Sequence, residues 1–399
     1  MTRSLPFLPK LSDAKLLPTW LSTTRRRHLA LLAIVSCALS QSPAPAADDT
    51  ADDKQVPDGP WISSVAWQDA DTLLGTRSQS LLFRPAEVVQ AAVDTPQDLQ
   101  VVGESESALW AVLPLADGGM IASDYRGGVH LFASSAATNA DTKNDAKSDA
   151  KSFELDARWI RSLAATPNSK EVLAGTEDGK LIVLSVEQTK ELRRVDAHAA
   201  AIFDIALSAA GDKVATAAGD GSIKIFSWPE LEPQGEMKVG KDAIWSLVFV
   251  NNDQQIVSGG ADRAIQLWDV ASASSVVTIA LAHNWVTSVV ALPKSNLVAA
   301  ASMDGSVVVV DFKTMQAVTN QEVAGSGIWS AALSPDGKQL AMGTRKHGLA
   351  VVEVQAWQKA GRAAAKQARA IRPPAPKKPD AEKSVGKKAA AKKAADEKN

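Results

Sequence analysis

Seven aromatic residues recur beside the start of a repeated β-like segment, and their side chains are the best suited in the sequence to bind another molecule. The segments begin at apolar positions: Ile62, Leu109, Ile160, Ile202, Ile244, Val286 and Ile328. The aromatic residues lie one place before or after these positions: Trp61, Trp159 and Trp285 before, and Trp110, Phe203, Trp245 and Trp329 after. Since the two neighbours of a strand residue share one face of the strand, the seven rings are predicted to lie on one side.

Two interpretations of this aromatic set are open. Aromatic side chains carry much of the binding free energy at protein interfaces, so a collar of rings would grip a peptide or another apolar partner. Alternatively, the rings wedge between neighbouring sheets and serve only the core. Trp67, Trp228 and Trp268 are expected to pack within the sheets.

The titratable residues give weaker indications of chemistry. His198 precedes Asp220 by 22 residues and His283 precedes Asp304 by 21, but a catalytic or metal-binding role would need further ligands nearby. The single Cys37 excludes an internal disulfide framework, a multi-cysteine zinc site and c-type haem. No nucleophile elbow, phosphate-binding glycine loop or zinc-spaced cluster is present. We therefore predict no catalytic residues, no metal and no cofactor.

Composition indicates a folded body with basic ends. The chain has 399 residues, of which 45% are hydrophobic, enough for a sizeable core. Residues 1–46 carry six basic side chains against one acidic, and residues 355–399 carry thirteen against four. The segment between them is strongly acidic, so the formal net charge of −2 describes a sum and not a surface.

A period of 42 residues organises the middle of the chain and must position the aromatic residues. The seven apolar positions are separated by 47, 51, 42, 42, 42 and 42 residues. Within 202–226, three short β-like segments are joined by the turns Ala210–Lys213 and Gly219–Gly221, and a looser fourth segment closes most periods. Four short strands in about 42 residues are typical of a propeller blade. The sequence predicts an all-β fold, a seven-bladed β-propeller of four-stranded antiparallel blades over residues 60–354.

The repeat resembles the WD-repeat β-propeller family. Residues 258–269, which end in Trp268-Asp269, are similar to its hairpin between the second and third strands, residues 282–289 to its entry into the first strand, and residues 334–338 to its first turn. The resemblance implies that the first strand lines a central channel, and that His198–Asp220, His283–Asp304, Asp262 and Trp268 are structural. Blade seven has only three strands in this pattern, so a segment within 48–59, around Asp53–Pro57, is expected to close the ring.

The residues outside the blades carry their own expectations. Residues 1–47 resemble a secretory signal peptide, with Arg25–Arg27 before an apolar run and an Ala44-Pro45-Ala46 cleavage pattern. Ile34–Cys37 resembles a bacterial lipobox, which would make Cys37 a lipidated N-terminus. Residues 134–152 are predicted to be a polar low-complexity loop in blade two, residues 355–371 a short basic helix, and residues 372–399 a disordered Lys/Ala/Pro tail.

Two functions from different classes follow. The first is a non-catalytic protein-interaction scaffold, a bacterial exported WD-repeat propeller that displays loops and channel-mouth aromatic residues to a protein partner. It would be a monomer without a transmembrane span, located in the periplasm or cell envelope. The basic tail would remain solvated, contact anionic envelope material or, as the third-ranked interpretation, bind nucleic acid. The alternative is a periplasmic propeller enzyme or ligand sensor, quinoprotein-like or metal-dependent.

Overall fold

A computed structural model describes residues 61–78, 85–133, 151–153, 155–238, 240–280 and 282–371. These residues belong to one compact unit that spans Lys54–Asn399. The predicted leader with Cys37, the proposed closing segment at 48–59, the tail at 372–399 and residues 134–150 of the predicted loop lie outside the described residues.

The described part of the chain forms seven antiparallel sheets in which consecutive strands are neighbours. Blades one to three comprise β1 (Trp61–Trp67), β2 (Thr72–Ser78), β3 (Ala86–Ala92) and β4 (Gln100–Ser105); β5 (Leu109–Pro114), β6 (Met120–Asp124), β7 (Val129–Phe132) and β8 (Lys151–Phe153); and β9 (Ile160–Ala165), β10 (Glu171–Thr176), β11 (Lys180–Ser185) and β12 (Lys190–Asp196). Blades four to seven comprise β13 (Ile202–Leu207), β14 (Lys213–Ala218), β15 (Ser222–Ser227) and β16 (Pro233–Lys238); β17 (Ile244–Val250), β18 (Gln255–Gly260), β19 (Ala264–Asp269) and β20 (Ser274–Ala280); β21 (Val286–Leu292), β22 (Leu297–Ser302), β23 (Ser306–Asp311) and β24 (Gln316–Glu322); and β25 (Ile328–Leu333), β26 (Gln339–Thr344) and β27 (Leu349–Glu353). The predicted seven-bladed propeller is confirmed.

The first strands of the seven blades contact one another in a closed circle, and the last of them, β25, contacts β1. The core lies between blades and not at a single centre. One cluster joins Leu173 and Leu181 of blade three to Ile202 and Phe226 of blade four, and the same arrangement recurs around the ring. Because both faces of the middle strands are buried, most of their residues are apolar, and buried polar residues such as Thr216 and Ser258 are hydrogen-bonded.

The ring closes through its inner strands. The indole Nε1–H of Trp67 in blade one donates to the carbonyl of Ala332 in blade seven at 2.9 Å. Blade seven also approaches blade one so closely that a β-carbon on Gly343 would lie 2.7 Å from the carbonyl oxygen of Ile62. Blade seven contributes three strands among the described residues, and the segment proposed to supply a fourth lies outside them.

One boundary from the sequence needs correction. The predicted loop 134–152 extends too far, because Lys151 and Ser152 already belong to β8. Phe153 holds this short strand in place, since its ring is buried in the core between blades two and three. Ser152 adds a contact of 2.9 Å between its Oγ and Nδ1 of His130 on β7.

A single helix, α1 (Gln355–Ile371), follows the last strand, as the sequence predicted. Its first turn begins with a hydrogen bond from the Gln358 N–H to the Val354 carbonyl at 3.1 Å. Trp357 anchors it, being 3% exposed in a cluster with Leu340 and Met342 of blade seven. In the part of the chain that the structure describes, no helix is both long and apolar enough to cross a membrane.

Candidate functional site

Every first strand contains an irregularity immediately after its apolar first position. In blade five, Ile244 is opposite Gly260 and Ser246 is opposite Gly259, so Trp245 has no residue opposite it. The same shift occurs in all seven blades. Such β-bulges place two residues against one on the partner strand and redirect a side chain. Simple alternation therefore fails here, and two consecutive residues of each first strand line the channel.

Four of the seven predicted aromatic residues, Trp110, Phe203, Trp245 and Trp329, occupy the bulge position and line the channel. Trp61, Trp159 and Trp285 precede the apolar positions and contact these four rings; we call all seven the aromatic cluster. Ring-to-ring contacts connect all of them, at centroid distances of 4.6 Å (Phe203–Trp245), 5.3 Å (Trp110–Trp159), 5.6 Å (Trp245–Trp285), 6.0 Å (Trp61–Trp329), 6.3 Å (Trp110–Trp329) and 6.4 Å (Trp245–Trp329). Trp329 of blade seven thus meets rings of blades two and five, neither of which is its neighbour. Such contacts can form only across the channel, so these rings do not lie wedged between adjacent blades.

Arg161 occupies the bulge position of blade three and lies among the rings. Its guanidinium carbon is 3.4 Å from the Trp159 ring centroid, 4.8 Å from that of Phe203 and 5.2 Å from that of Trp110. It also forms an ion pair with Glu177. Burial lowers the pKa of Arg161, and Glu177 acts in the opposite direction. The Arg161 guanidinium therefore stabilises one side of the cluster through cation–π contacts. Its charge is already paired with that of Glu177.

The cluster has a buried and an exposed part. Among the described residues, the buried indole Nε1–H groups of Trp159, Trp245 and Trp329 have no hydrogen-bond partner. Trp285 is 42% exposed, which makes it one of three large apolar side chains so exposed in the described structure. Arg345, also exposed, lies with its guanidinium carbon 5.7 Å from the Trp61 ring centroid. The mouth of the channel thus offers ring faces beside a cation.

A second channel layer, which sequence reasoning missed, lies one residue further along each first strand. We call it the polar ring; it comprises Ser64, Ser162, Asp204, Ser246, Ser288 and Ser330, with Ala111 at the remaining position. Four of its oxygens accept backbone N–H groups of the next blade: Val112 to Ser64 (3.3 Å), Leu247 to Asp204 (2.9 Å), Val289 to Ser246 (3.1 Å) and Val65 to Ser330 (3.2 Å). The hydroxyls of Ser162 and Ser288 instead donate to carbonyls of the next blade, those of Ile202 (3.1 Å) and Ala331 (3.3 Å). The recurrence of serine at this position with the 42-residue period is the signal that could have revealed it.

Asp204 is the one carboxylate in the polar ring. Its Oδ2 accepts the Ser246 hydroxyl at 2.8 Å as well as the Leu247 N–H. Burial raises the pKa of Asp204, while these hydrogen bonds lower it less. Together with the four lining members of the aromatic cluster, the polar ring surrounds a channel cavity of about 290 Å³. The polar atoms facing this cavity are largely used in joining blades.

His198 and Asp220, the first predicted structural pair, lie together in blade four. His198 Nδ1 is 3.4 Å from Asp220 Oδ2 and 3.0 Å from Ser222 Oγ, and its Nε2 is 2.7 Å from Thr216 Oγ1. Burial lowers the pKa of His198, and Asp220 acts in the opposite direction. Both ring nitrogens are engaged, which leaves no free imidazole nitrogen for general base chemistry.

The second predicted pair is not joined. No hydrogen bond links His283 to Asp304, both of which the structure describes; His283 is exposed, and Asp304 Oδ1 accepts the Ser306 N–H (2.9 Å) and hydroxyl (2.6 Å) instead. Two differences explain this. His283 is one residue nearer its strand than His198, and Ala300 stands where blade four has Thr216, so a ring nitrogen would lack its acceptor.

Blade five uses the corresponding positions differently. Asp262 accepts the Ala264 N–H at 3.0 Å and the Gln266 side-chain amide at 2.6 Å. Trp268, which is buried, donates its Nε1–H to Ser258 Oγ at 2.8 Å. Within the described ranges, no group of three or more His, Cys, Asp or Glu side chains is arranged to hold a metal ion.

Comparison with known proteins identifies the repeat. Residues 189–227, 232–269 and 274–311 match the WD40 family, described as WD domain, G-beta repeat. Each match begins at the fourth strand of one blade and ends with the third strand of the next, so the repeat unit joins neighbouring blades. Proteins of this family are generally non-enzymatic.

Curated relatives match parts of the chain. It is 26% identical to SEC12-like protein 2 of Arabidopsis thaliana over 176 residues, 24% to WD repeat-containing protein 55 of Mus musculus over 186, and 26% to Autophagy-related protein 16 of Arabidopsis thaliana over 112. These matches cover 42%, 46% and 27% of this chain and 44%, 48% and 22% of the relatives, so the chain spans less than half the length of each. Three segments of the chain thus match the WD40 repeat, and the described residues form the sheets of a seven-bladed propeller.

Proposed function

We propose that the protein is a non-catalytic interaction scaffold that binds a protein partner through the aromatic cluster. The observation that carries this proposal is the position of the cluster across the channel mouth, with Trp285 exposed and the exposed Arg345 beside Trp61. WD-repeat relatives fit a scaffold role in general. Because the closed propeller holds the aromatic side chains rigidly, a partner would bind with little loss of conformational entropy.

The cluster favours an extended peptide that carries an apolar side chain near a carboxylate. An apolar side chain would cover the exposed face of Trp285, which stacks on Trp245. A carboxylate would pair with Arg345, which forms no ion pair with any described residue and lies against Trp61.

A peptide-display selection on the full chain tests this function. We expect the selected peptides to combine an aromatic or aliphatic residue with Asp, Glu or a free carboxyl terminus. Trp285→Ser should weaken their binding at least tenfold without changing the melting temperature. Val276→Ser is the matched control, because Val276 is 52% exposed on β20, the outer strand of blade five. Equal peptide binding by wild type and Trp285→Ser, or equal loss in both variants, would contradict the proposal.

We also propose that the protein is exported and resides in the periplasm or cell envelope. The support is the pattern of residues 1–47, with Cys37 in a lipobox-like context and Ala46 at the alternative cleavage site. Mass spectrometry of the protein from its native cell tests this. A mature chain that begins at lipidated Cys37, or near Ala47, supports export, whereas a chain that retains residues 1–36 contradicts it.

A further inference from the structure

Helix α1 has a packed face and an opposite cationic face. On the packed face, the Trp357 Nε1–H donates to Gln321 Oε1 at 2.9 Å, and a β-carbon on Gly361 would lie 2.8 Å from Leu297. Lys359, Arg362 and Lys366 are all exposed. At 3.6 residues per turn these three lie within about 60° of arc on the side away from Trp357. The sequence of α1 contains no Asp or Glu to neutralise them.

A groove of about 580 Å³ separates α1 from the turns that follow the first strands of blades six and seven. Its charged lining consists of Lys294, Lys338, Lys359 and Arg362, with one carboxylate, Asp336. That carboxylate forms an ion pair with Lys338, whose Nζ lies 2.7 Å from its Oδ2. Lys294, Lys359 and Arg362 form no ion pair with any residue that the structure describes. The groove therefore carries uncompensated positive charge that extends along the helix to Lys366.

The wall of the groove on the side of the turns is partly apolar. Pro293 and Pro335, at the tips of the two turns, are exposed beside the lysines, whereas α1 adds the polar side chains of Gln355 and Gln358. No aromatic side chain is exposed on this part of α1, because Trp357 is buried and hydrogen-bonded. The surface thus offers charge and apolar contact but no ring on which a base could stack.

We propose that this groove and the cationic face of α1 bind the phosphate headgroups of an anionic lipid bilayer. A phospholipid joins a phosphate to an apolar glycerol ester, which matches lysine and arginine set beside two exposed prolines; a nucleic acid phosphate would use only the cations. Clusters of basic residues on a helix are attracted to anionic leaflets in this way. The site lies at the end of the first strands opposite the aromatic cluster, so both surfaces can be occupied at once.

Vesicle co-sedimentation of the full chain tests the proposal. We expect binding to vesicles of phosphatidylcholine and phosphatidylglycerol (3:1), little binding to pure phosphatidylcholine, and release at high salt. Lys359→Gln/Arg362→Gln should reduce the partition coefficient about 25-fold, since each basic residue contributes about fivefold. The matched control is Lys190→Gln/Lys238→Gln, which removes the same charge from exposed sites on the outer strands β12 and β16 and should lose less than about threefold.

Three results would overturn the proposal. Undiminished vesicle binding by Lys359→Gln/Arg362→Gln, with unchanged circular dichroism, would assign any binding to another part of the chain. Equal loss in the control variant would show that net charge alone matters. Tighter binding of a 30-base-pair DNA duplex than of the anionic vesicles, with sensitivity to Lys359 and Arg362, would make the partner a nucleic acid.

Discussion

The aromatic cluster and the polar ring lie next to each other at the start of the seven first strands, yet their chemistry is opposite. Oxygens of the polar ring accept hydrogen bonds from backbone N–H groups of the next blade. Ser246 accepts from Val289, and Asp204 accepts from Leu247. The aromatic cluster leaves indole N–H groups unpartnered and exposes Trp285. Because one layer joins the blades, the layer beside it is free to present apolar surface. A β-bulge in each first strand makes this division possible, since it brings two consecutive residues to the channel.

The largest effect is expected from the carboxylate of the polar ring. Asp204→Ala should lower the free energy of unfolding by about 2–3 kcal/mol, because it leaves the Leu247 N–H and the Ser246 hydroxyl without their charged acceptor. Chemical denaturation of the variant measures this. Asp242→Ala, at an exposed position, is the control and should change stability by less than about 0.5 kcal/mol. An Asp204→Ala variant as stable as wild type would show that the polar ring does not hold the blades together.

The aromatic cluster should divide into a supporting and a presenting part. Trp245 contacts three other rings, so Trp245→Ala should cost about 1–2 kcal/mol of stability through lost packing and ring contacts. Trp285→Ala should cost less than about 0.5 kcal/mol, as is usual for an exposed side chain. Equilibrium denaturation of both variants checks the order. If Trp285→Ala were the more destabilising, the exposed ring would belong to the core and not to a binding surface.

A smaller change in melting temperature is expected when pH is lowered. It arises from the buried His198 and not from the aromatic cluster. Burial lowers the pKa of His198 below its ordinary value of 6.5, so the neutral imidazole stabilises the fold above about pH 6.5 and this contribution is lost as pH falls below that value. The melting temperature of wild type should therefore drop more between pH 7.5 and 5 than that of His198→Gln. Identical pH profiles for the two proteins would show that His198 is not the titrating group.

The smallest effect concerns the gap in the polar ring. Ala111 is its one position without a side-chain acceptor, so Ala111→Ser should offer an oxygen to the backbone of blade three. We expect a gain in unfolding free energy of up to about 1 kcal/mol, the net contribution of one hydrogen bond. Thermal denaturation measures the gain, with Ala363→Ser on the exposed side of α1 as control. A loss of stability would mean that the bulge of blade two does not aim this residue at its neighbour.

The sequence predicts the propeller well because the repeat period and the Asp-Gly turns report local backbone geometry. The seven first strands begin at or one residue before their predicted apolar positions, and α1 has its predicted bounds. The aromatic cluster was also predictable as a set. Its span across the channel was not, because contacts such as Trp110–Trp329 join blades far apart in the chain.

The polar ring and the absence of a His283–Asp304 hydrogen bond were not predicted from the repeat pattern. Strict alternation predicts that only one of two consecutive strand residues faces the channel, and no local signal marked the bulge that turns Trp245 and Ser246 to the same side. The spacing between His283 and Asp304 was not enough to predict whether they form a hydrogen bond, because the position of the histidine also depends on a third residue. In blade four, the Thr216 hydroxyl is a hydrogen-bond partner of the His198 ring, whereas Ala300 in blade six has no hydroxyl to offer.

Fluorine NMR of the full chain labelled with 5-fluorotryptophan tests the central claim most directly, with each resonance assigned by single substitution. The probe is a peptide obtained by the display selection. We predict that its addition shifts the resonances of Trp285 and Trp245 and leaves those of Trp268 and Trp67, which are buried in the blades, unchanged. Shifts at Trp268 or Trp67 with none at Trp285 would place the binding surface elsewhere and contradict the account.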